Sequence, residues 1–257
     1  MKTFFILVLL AYFAICLLFY IFQRSFLYFP QATGIVDKKV FQIESIEFNN
    51  KQQLLKGWVL NSGRQKALLF YGGNAGVIEN TIGFFNQVAP NHTVYLIPYR
   101  GYGENSGQPT EDNLYSDALS VYDQIQDQYE NIDLMGRSLG SGVATYVAVN
   151  RPVERLILST PYDSIENVAK GLYPFLPVSL LAKDKYLSID RVAEITTKTL
   201  ILIAENDQVI PRERSEALAE KFEQNLLTKV VIARADHNDI SGYSEYVNAI
   251  AVFLNDR

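Results

Sequence analysis

Residues 136–140 have the sequence GRSLG and lie between two segments of different character. The residues before them, 132–135 (IDLM), are typical of a buried strand, and those that follow, 141–148 (SGVATYVA), are typical of a packed helix. A serine with glycine two positions to either side, on a tight strand-to-helix turn, is the pattern of an exposed nucleophile. The glycines are needed because a Cβ at either position would clash in a strained, closely packed turn. The pattern therefore makes Ser138 the candidate nucleophile.

Strands and helices alternate along the chain on both sides of this turn. Short apolar runs predict buried strands at residues 67–70, 93–97, 132–135, 156–158, 199–203 and 230–232. Amphipathic stretches between them predict helices, among them one capped by Thr110 and one that carries Leu218 and Phe222. Residues 39–60 alternate in character and predict an antiparallel hairpin. The predicted fold class is therefore α/β, a mostly parallel twisted sheet with helices on both faces.

The regular alternation is interrupted at residues 160–195, directly after a predicted strand. This segment is rich in proline and aromatic residues, and we predict that it forms a small lid over the site. The alternative interpretation is a plain long connection. Tyr162, near the start of the segment, is a candidate substrate-binding residue.

The first part of the chain contains 19 consecutive apolar residues, 4–22 (FFILVLLAYFAICLLFYIF). At about 1.5 Å per residue, a helix of this length spans the hydrocarbon core of a bilayer. The run carries no charge and ends without the small-residue cleavage site of a signal peptide, which is the alternative interpretation. We predict a single-pass membrane protein with an anchor at residues 1–24 and a second domain at residues 25–257. Basic residues lie on both sides of the run, so the charge pattern does not predict which side of the membrane the domain occupies.

The composition limits the possible classes of function. The net charge is −5 with no long basic run, which argues against nucleic acid as a partner. Cys16 is the single cysteine, so neither an intrachain disulfide nor a cysteine-based metal site can form. The two histidines, His92 and His237, are too few for a multi-histidine metal site. We expect neither a metal nor an organic cofactor.

A serine hydroxyl is a weak nucleophile at neutral pH and needs a base, which in turn needs an orienting acid. On a sheet of this type the acid and then the histidine follow the serine, on loops after later strands. His237 follows the last predicted strand and Asp207 follows the strand before it, so Ser138, Asp207 and His237 are the predicted catalytic residues. His92, at the wrong end of the sheet, is interpreted as structural or solvent-exposed. The other acids considered as orienting groups are Glu205, Asp236 and Asp239.

An acyl-transfer site also needs hydrogen-bond donors for the oxyanion. The predicted donors are the backbone N–H groups of Leu139, at the start of a helix, and of Asn74, in the loop at residues 71–76 (YGGNAG). Gly73 in that loop lets the backbone approach a substrate and is a second candidate substrate-binding residue. A phosphate-binding loop is the alternative, but no Lys-Ser/Thr pair follows the glycines.

Together these residues resemble the α/β-hydrolase superfamily, and more narrowly the Bem46-type group of membrane-anchored serine hydrolases. The motifs that carry the resemblance are YFP at 28–30, GNAG at 73–76, YRGYG at 99–103, GRSLG at 136–140 and HND at 237–239. The resemblance implies the α/β-hydrolase fold for residues 25–257 and a Ser138–Asp207–His237 triad. It also implies hydrolysis of an acyl ester, thioester or amide. The chain departs from the group at Gly72, where a histidine is usual, and at residues 204–206, where glycines are usual.

Two functions from different classes are compatible with this pattern. The first is a membrane-anchored serine hydrolase of the esterase or thioesterase type, with a small-molecule or lipid-like acyl substrate. The alternative is a non-catalytic, membrane-anchored interaction protein on the same scaffold, because a fold does not by itself imply activity. The presence of the serine, the acid and the histidine in the required order favours the enzyme.

Overall fold

The computed structural model describes residues 1–36 and 40–255, and an eight-stranded sheet forms the centre of this part of the chain. The strands are β1 (Ile43–Asn50), β2 (Gln53–Leu60), β3 (Lys66–Tyr71), β4 (His92–Leu96), β5 (Asn131–Arg137), β6 (Arg155–Ser159), β7 (Lys198–Ala204) and β8 (Leu227–Ile232). Their order is β1-β2-β4-β3-β5-β6-β7-β8, with β1–β2 and β2–β4 antiparallel and the other pairs parallel. The hairpin predicted over residues 39–60 corresponds to β1 and β2, and residue 39 lies outside the described residues. The predicted sheet is confirmed.

Eight α-helices lie within the described residues, and those that pack on the sheet cover both of its faces. They are α1 (Lys2–Leu27), α2 (Ile82–Val88), α3 (Glu111–Ile125), α4 (Leu139–Asn150), α5 (Ile165–Leu172), α6 (Val178–Leu181), α7 (Arg212–Ala219) and α8 (Ser244–Asn255). Alternate residues of a strand point to opposite faces. In β3, Ala67 and Leu69 pack into the core with α3, α4 and α7, whereas Leu68 and Phe70 pack into the core with α2 and α8. This burial on both faces explains the continuous apolar runs in the sequence.

Local signals account for where several helices begin and end. The Oγ1 atom of Thr110 accepts the backbone N–H of Asn113 at 3.2 Å and caps α3, as predicted. Helix α7 ends at Ala219, so Phe222, which was predicted on this helix, lies in the turn that follows. The N–H of Phe222 bonds to the carbonyl of Ala219, three residues back, and this tighter turn still brings the ring into the core.

Helix α1 differs from the other helices because its apolar surface is mostly uncovered. Cys16 is its single buried residue. Among the described residues, α1 is the one helix that is long and apolar enough to cross a membrane, a property that a signal sequence shares.

Residues 160–195, which we call the lid, form an insertion between β6 and β7 that contains α5 and α6. The lid packs along the C-terminal half of α1. Gln23 Nε2 donates to the carbonyl of Leu181 at 2.9 Å, and the Arg24 guanidinium donates to both carboxylate oxygens of Asp184 at 2.8 and 3.2 Å. Helix α1 is therefore held against the lid by side-chain hydrogen bonds.

Candidate active site

The turn at Ser138 has the strained geometry that its sequence predicts. Ser138 joins β5 to α4 with a φ of 53° and a ψ of −121°, a region that residues other than glycine rarely occupy. A Cβ on Gly136 would overlap the carbonyl oxygen of Gly140, and a Cβ on Gly140 would overlap the carbonyl oxygen of Tyr71. Both flanking glycines are therefore required for α4 to pack this closely against β3 and β5.

Ser138, His237 and Asp207 form one chain of hydrogen bonds. His237 Nε2 lies 3.0 Å from Ser138 Oγ, and His237 Nδ1 lies 2.8 Å from Asp207 Oδ2. The other carboxylate oxygen of Asp207 accepts the backbone N–H groups of Val209 at 2.9 Å and Ile210 at 2.7 Å. Since the carboxylate accepts at Nδ1, the proton of the neutral imidazole lies there, and Nε2 is left to accept the serine proton. All three side chains are buried.

Asp236, one of the other candidate acids, joins the two loops that carry the acid and the histidine. Its Oδ1 atom accepts the backbone N–H of Gln208 at 3.0 Å and that of His237 at 2.6 Å. The hydrogen bond from Gln208, followed by that from His237, lowers the pKa of the Asp236 carboxyl below its usual value. Asp236 therefore fixes the position of the His237 backbone and does not contact the imidazole nitrogens.

The remaining two acids also bind backbone groups. Glu205 Oε2 accepts the backbone N–H of Arg234 at 2.7 Å, and Asp239 Oδ1 accepts that of Asp236 at 2.7 Å. Of the four acids that follow β7 and β8, Asp207 is the one hydrogen-bonded to the His237 ring.

Arg137, next to the nucleophile, holds the histidine loop from the other side. Its Nη2 atom donates to the carbonyl oxygen of His237 at 3.0 Å. In the sequence, Arg137 matches a position of the group that the chain resembles, and it is interpreted as a structural residue without a chemical role. Its partner is 100 residues further along the chain, so no local signal identifies this contact.

The residues of the two predicted oxyanion donors, Leu139 and Asn74, line the same cavity as Ser138. Leu139 is the first residue of α4, so its N–H has no acceptor within the helix. Asn74 follows β3 and lines the same cavity as Ser138 and Leu139. A Cβ on Gly73 would come within 3.6 Å of Ser138 Cβ, which places the loop backbone against the nucleophile.

Asn74 is also bonded to the end of α1, which the sequence did not reveal. Its Nδ2 atom donates to the carbonyl of Leu27 at 2.9 Å. Its carbonyl accepts the N–H of Phe29 at 3.1 Å and the hydroxyl of Tyr102 at 2.6 Å. The position of this loop therefore depends on where α1 ends.

Two cavities flank the nucleophile. One, of ≈ 310 Å³, extends from Ser138 and Leu139 between the lid and α1, and most of the residues that line it are apolar. The other, of ≈ 360 Å³, lies on the far side of the loop at 71–76 and is lined in part by Gly73 and Arg137. The first cavity is suited to an apolar group bonded to a carbonyl at Ser138.

Tyr162 does not reach either cavity, contrary to the expectation that it contacts substrate. Its side chain is fully buried, and its hydroxyl donates to the carbonyl of Leu139 at 2.9 Å. Gly142 leaves room for the ring, because a Cβ there would overlap the Tyr162 hydroxyl. Burial raises the pKa of Tyr162 well above its usual value, so the hydroxyl remains a donor. Tyr162 therefore supports the nucleophile turn from behind.

His92 lies at the opposite end of the sheet from Ser138. It is buried at the start of β4, and its Nε2 atom is 2.9 Å from Asp133 Oδ2. This confirms the structural interpretation of His92 and excludes the solvent-exposed one. Within residues 1–36 and 40–255, no three His, Cys, Asp or Glu side chains are grouped as metal ligands.

A buried serine–histidine–carboxylate chain at the carboxyl ends of parallel strands is the arrangement found in α/β hydrolases. The family model for the serine hydrolases (FSH1) matches residues 81–238, well over half of the 257-residue chain. The chain belongs to this family, and its fold is the α/β-hydrolase fold.

Relatives and solved structures agree with this assignment. An uncharacterized protein of Mycobacterium tuberculosis is 31% identical over 84% of this chain and 81% of its own length. Human alpha/beta hydrolase domain-containing protein 17B is 29% identical over 73% of this chain, which spans 66% of that protein. The Pyrococcus furiosus esterase Pf2001 superposes with a TM-score of 0.74 at 16% identity, covering 89% of this chain and 98% of the esterase. At that identity the esterase supports the fold alone.

Proposed function

We propose that the protein is a membrane-anchored serine hydrolase that cleaves an acyl ester, thioester or amide through a Ser138–His237–Asp207 triad. The observation that carries this proposal is the hydrogen-bond chain at 3.0 and 2.8 Å, with both imidazole nitrogens engaged. The apolar cavity beside the serine supports an acyl substrate. Neither feature distinguishes an ester from a thioester or an amide.

Acylation uses the three side chains in turn. His237 Nε2 takes the proton of Ser138 Oγ as the oxygen attacks the substrate carbonyl, and Asp207 stabilises the imidazolium that forms. The backbone N–H groups of Leu139 and Asn74 hold the oxyanion of the tetrahedral intermediate. When the bond to the leaving group breaks, the imidazolium donates its proton to that group, and the acyl chain remains bonded to Ser138.

Deacylation repeats these steps with water in place of the serine. His237 Nε2 removes a proton from a water molecule, which attacks the acyl carbonyl. Collapse of the second intermediate returns the proton to Ser138 Oγ and releases the carboxylic acid. The cycle needs only groups that the chain itself supplies.

We further propose that residues 1–24 are a single-pass anchor and that residues 25–257 form the hydrolase domain, with residues 160–195 as its lid. The exposed apolar surface of α1 supports membrane insertion, because one buried residue in 26 is far from the burial of a soluble core helix. The direct bonds between α1 and the lid support an anchor that is retained, since a cleaved segment would leave Asp184 without Arg24.

A fluorophosphonate probe, which reacts with activated serines, tests the proposal on the full chain in phosphatidylcholine vesicles. We expect wild-type protein to be labelled and Ser138→Ala to remain unlabelled, while Asp207→Asn slows labelling strongly because the imidazole tautomer is no longer fixed. Ser141→Ala is the matched control, as Ser141 is a buried serine in the adjacent helix. Folded wild-type protein that resists the probe would favour the non-catalytic interaction protein instead.

A further inference from the structure

The lid reaches far along α1 toward its N-terminus. The hydroxyl of Tyr12 donates to the backbone carbonyl of Phe175, at the tip of the lid, at 3.1 Å. Tyr12 is ten residues before Phe22, the last residue of the apolar run, so it lies about 15 Å deeper along the helix. A bilayer core is about 30 Å thick, which places the lid tip near its middle if α1 spans the membrane.

Polar contacts between α1 and the lid lie at a different level from this tip. Lys183 Nζ lies 3.9 Å from the centre of the Tyr20 ring, and its backbone N–H bonds to Gln23 Oε1 at 2.7 Å. Arg24 and Asp184 form an ion pair at the same end of α1. Tyrosine and basic residues mark the boundary between lipid and water. The contacts at residues 20–24 therefore define the membrane surface, with the lid tip beneath it.

The side chains of the lid tip fit this depth. Three large apolar side chains are exposed there: Leu172 at 60%, Phe175 at 58% and Leu180 at 84%. Lys170, two residues before Leu172, turns its ammonium back along α5 to Glu166 at 2.6 Å. Lysine side chains near a membrane surface commonly extend toward water in this way.

At the lid tip, several of the backbone polar groups that lipid would penalise are absent or satisfied. Pro174 and Pro177 carry no N–H, and the N–H of Leu176 bonds to the carbonyl of Tyr173 at 3.0 Å. The Phe175 carbonyl accepts the Tyr12 hydroxyl. An irregular backbone is tolerated at membrane depth when its polar groups are satisfied within the protein.

The cavity at Ser138 opens between α1 and the lid. Phe19 and Phe26 of α1 line one wall of it, and Leu172 and Tyr173 of the lid line the other. Phe26 and Leu172 are both lining residues and more than half exposed, so the mouth of the cavity lies between the anchor and the lid. Phe19 and Phe26 lie on either side of the contacts at residues 20–24, so the mouth lies at the level of the membrane surface, where an acyl chain of the adjoining leaflet would reach it.

From these observations we infer that the lid inserts into one leaflet beside α1, and that the cavity receives the acyl chain of its substrate sideways from that leaflet. This inference rests on the proposed membrane anchor and hydrolase function. In this arrangement α1 forms a wall of the acyl-binding site, and the cavity selects substrates whose acyl chains already lie in the membrane.

A depth measurement tests the insertion of the lid without using activity. In a Cys16→Ala background, which removes the single cysteine, Phe175→Cys and Val252→Cys each carry an NBD fluorophore. Val252 is 67% exposed on α8, near the end that bonds to Asn91 before β4, and serves as the control. In phosphatidylcholine vesicles with a nitroxide at mid-chain, we expect at least fivefold stronger quenching at position 175 than at position 252.

Equal, weak quenching at both positions in protein that floats with the vesicles would overturn the inference and leave the anchor intact. Protein that does not float would break the anchor proposal, and with it the inference.

Sideways entry is tested with two esters, a water-soluble acetyl ester and a long-chain acyl ester held in phosphatidylcholine vesicles. The readout is the ratio of kcat/KM for the vesicle ester to that for the soluble ester. We expect the double variant Phe175→Asp/Leu180→Asp to lower this ratio at least tenfold, and Val252→Asp to leave it unchanged. A ratio that is the same in both variants would overturn sideways entry. If wild-type protein cleaves neither ester, the hydrolase proposal fails, and the quenching result still decides where the lid lies.

Discussion

The two ends of the sheet each hold a buried histidine–aspartate pair, and one of these pairs belongs to the candidate active site. His237 lies 2.8 Å from Asp207, and His92 lies 2.9 Å from Asp133. At His237 the second ring nitrogen contacts a serine that lines a cavity. At His92 the second ring nitrogen is buried without a hydrogen-bond partner. A buried histidine–aspartate pair alone is therefore a structural unit. It becomes part of a candidate catalytic site where a strained nucleophile and an open cavity lie beside it.

The largest expected difference between the two ends is in turnover. His237→Ala is expected to lower kcat by about 10⁴- to 10⁶-fold, because the serine loses its base. His92→Ala is expected to leave the kcat of the folded protein unchanged. The kcat of both variants is measured with a soluble acyl ester. A comparable loss of kcat in His92→Ala would contradict a purely structural role of the His92 pair.

The opposite order is expected for the free energy of unfolding, with the larger loss at the His92 end of the sheet. Asp133→Ala is expected to lower the free energy of unfolding by about 3–5 kcal/mol, because it removes the carboxylate beside two buried groups, His92 and Arg155. Urea denaturation measures the change. Asp207→Ala, at the end beside the cavity, serves as the comparison and is expected to cost less. If Asp133→Ala lowered the free energy of unfolding less than Asp207→Ala, the pair at His92 would not be the one that contributes more to stability.

A smaller effect is expected from the residue that holds the histidine loop. Arg137→Met removes a hydrogen bond from a charged donor to the His237 carbonyl, and we expect kcat to fall about tenfold with KM unchanged. Arg137→Lys keeps a cationic donor and is expected to recover part of the loss. An increase in KM alone would instead place Arg137 in substrate binding.

The smallest effect is expected from Asp236, and it depends on pH. The pKa of this carboxyl is lowered in the folded chain, so its ionised form stabilises the fold above the unfolded pKa of about 4. That contribution is lost as the pH falls through the lowered folded value. Asp236→Asn is therefore expected to lower Tm slightly at pH 7, with the difference from wild type shrinking below about pH 4. A difference in Tm that is constant with pH would contradict this.

Local patterns in the sequence were sufficient for the sheet and for two of the proposed catalytic residues. The GRSLG turn needs glycines for a steric reason that is visible in the sequence, and one histidine follows the last strand. Asp207 was less certain, because four acids lie on the two loops. What separates Asp207 from the others is a turn in which the N–H groups of Val209 and Ile210 hold its second oxygen. Loop geometry of this kind depends on packing and leaves no periodic signal.

Tyr162 and the lid show why other parts could not be predicted. An aromatic residue after a strand end is compatible with either a substrate contact or a buried support. Tyr162 is a buried support because Gly142, on helix α4, has no side chain and leaves space for the ring. Likewise, nothing in residues 160–195 indicates that they pack on α1, because the contacts join segments about 160 residues apart.

The bonds between Asn74 and the end of α1 have a consequence for proteolytic shedding. A protease that cut between Leu27 and Phe29 would remove the acceptor of the Asn74 side chain and disturb the N–H that bonds to its carbonyl. The released domain would keep Ser138, Asp207 and His237 but lose these hydrogen bonds to the loop at residues 71–76. If α1 is the proposed anchor, release from the membrane would therefore be coupled to a loss of activity, and a fragment that begins at Phe29 is expected to react with a fluorophosphonate more slowly than the full chain.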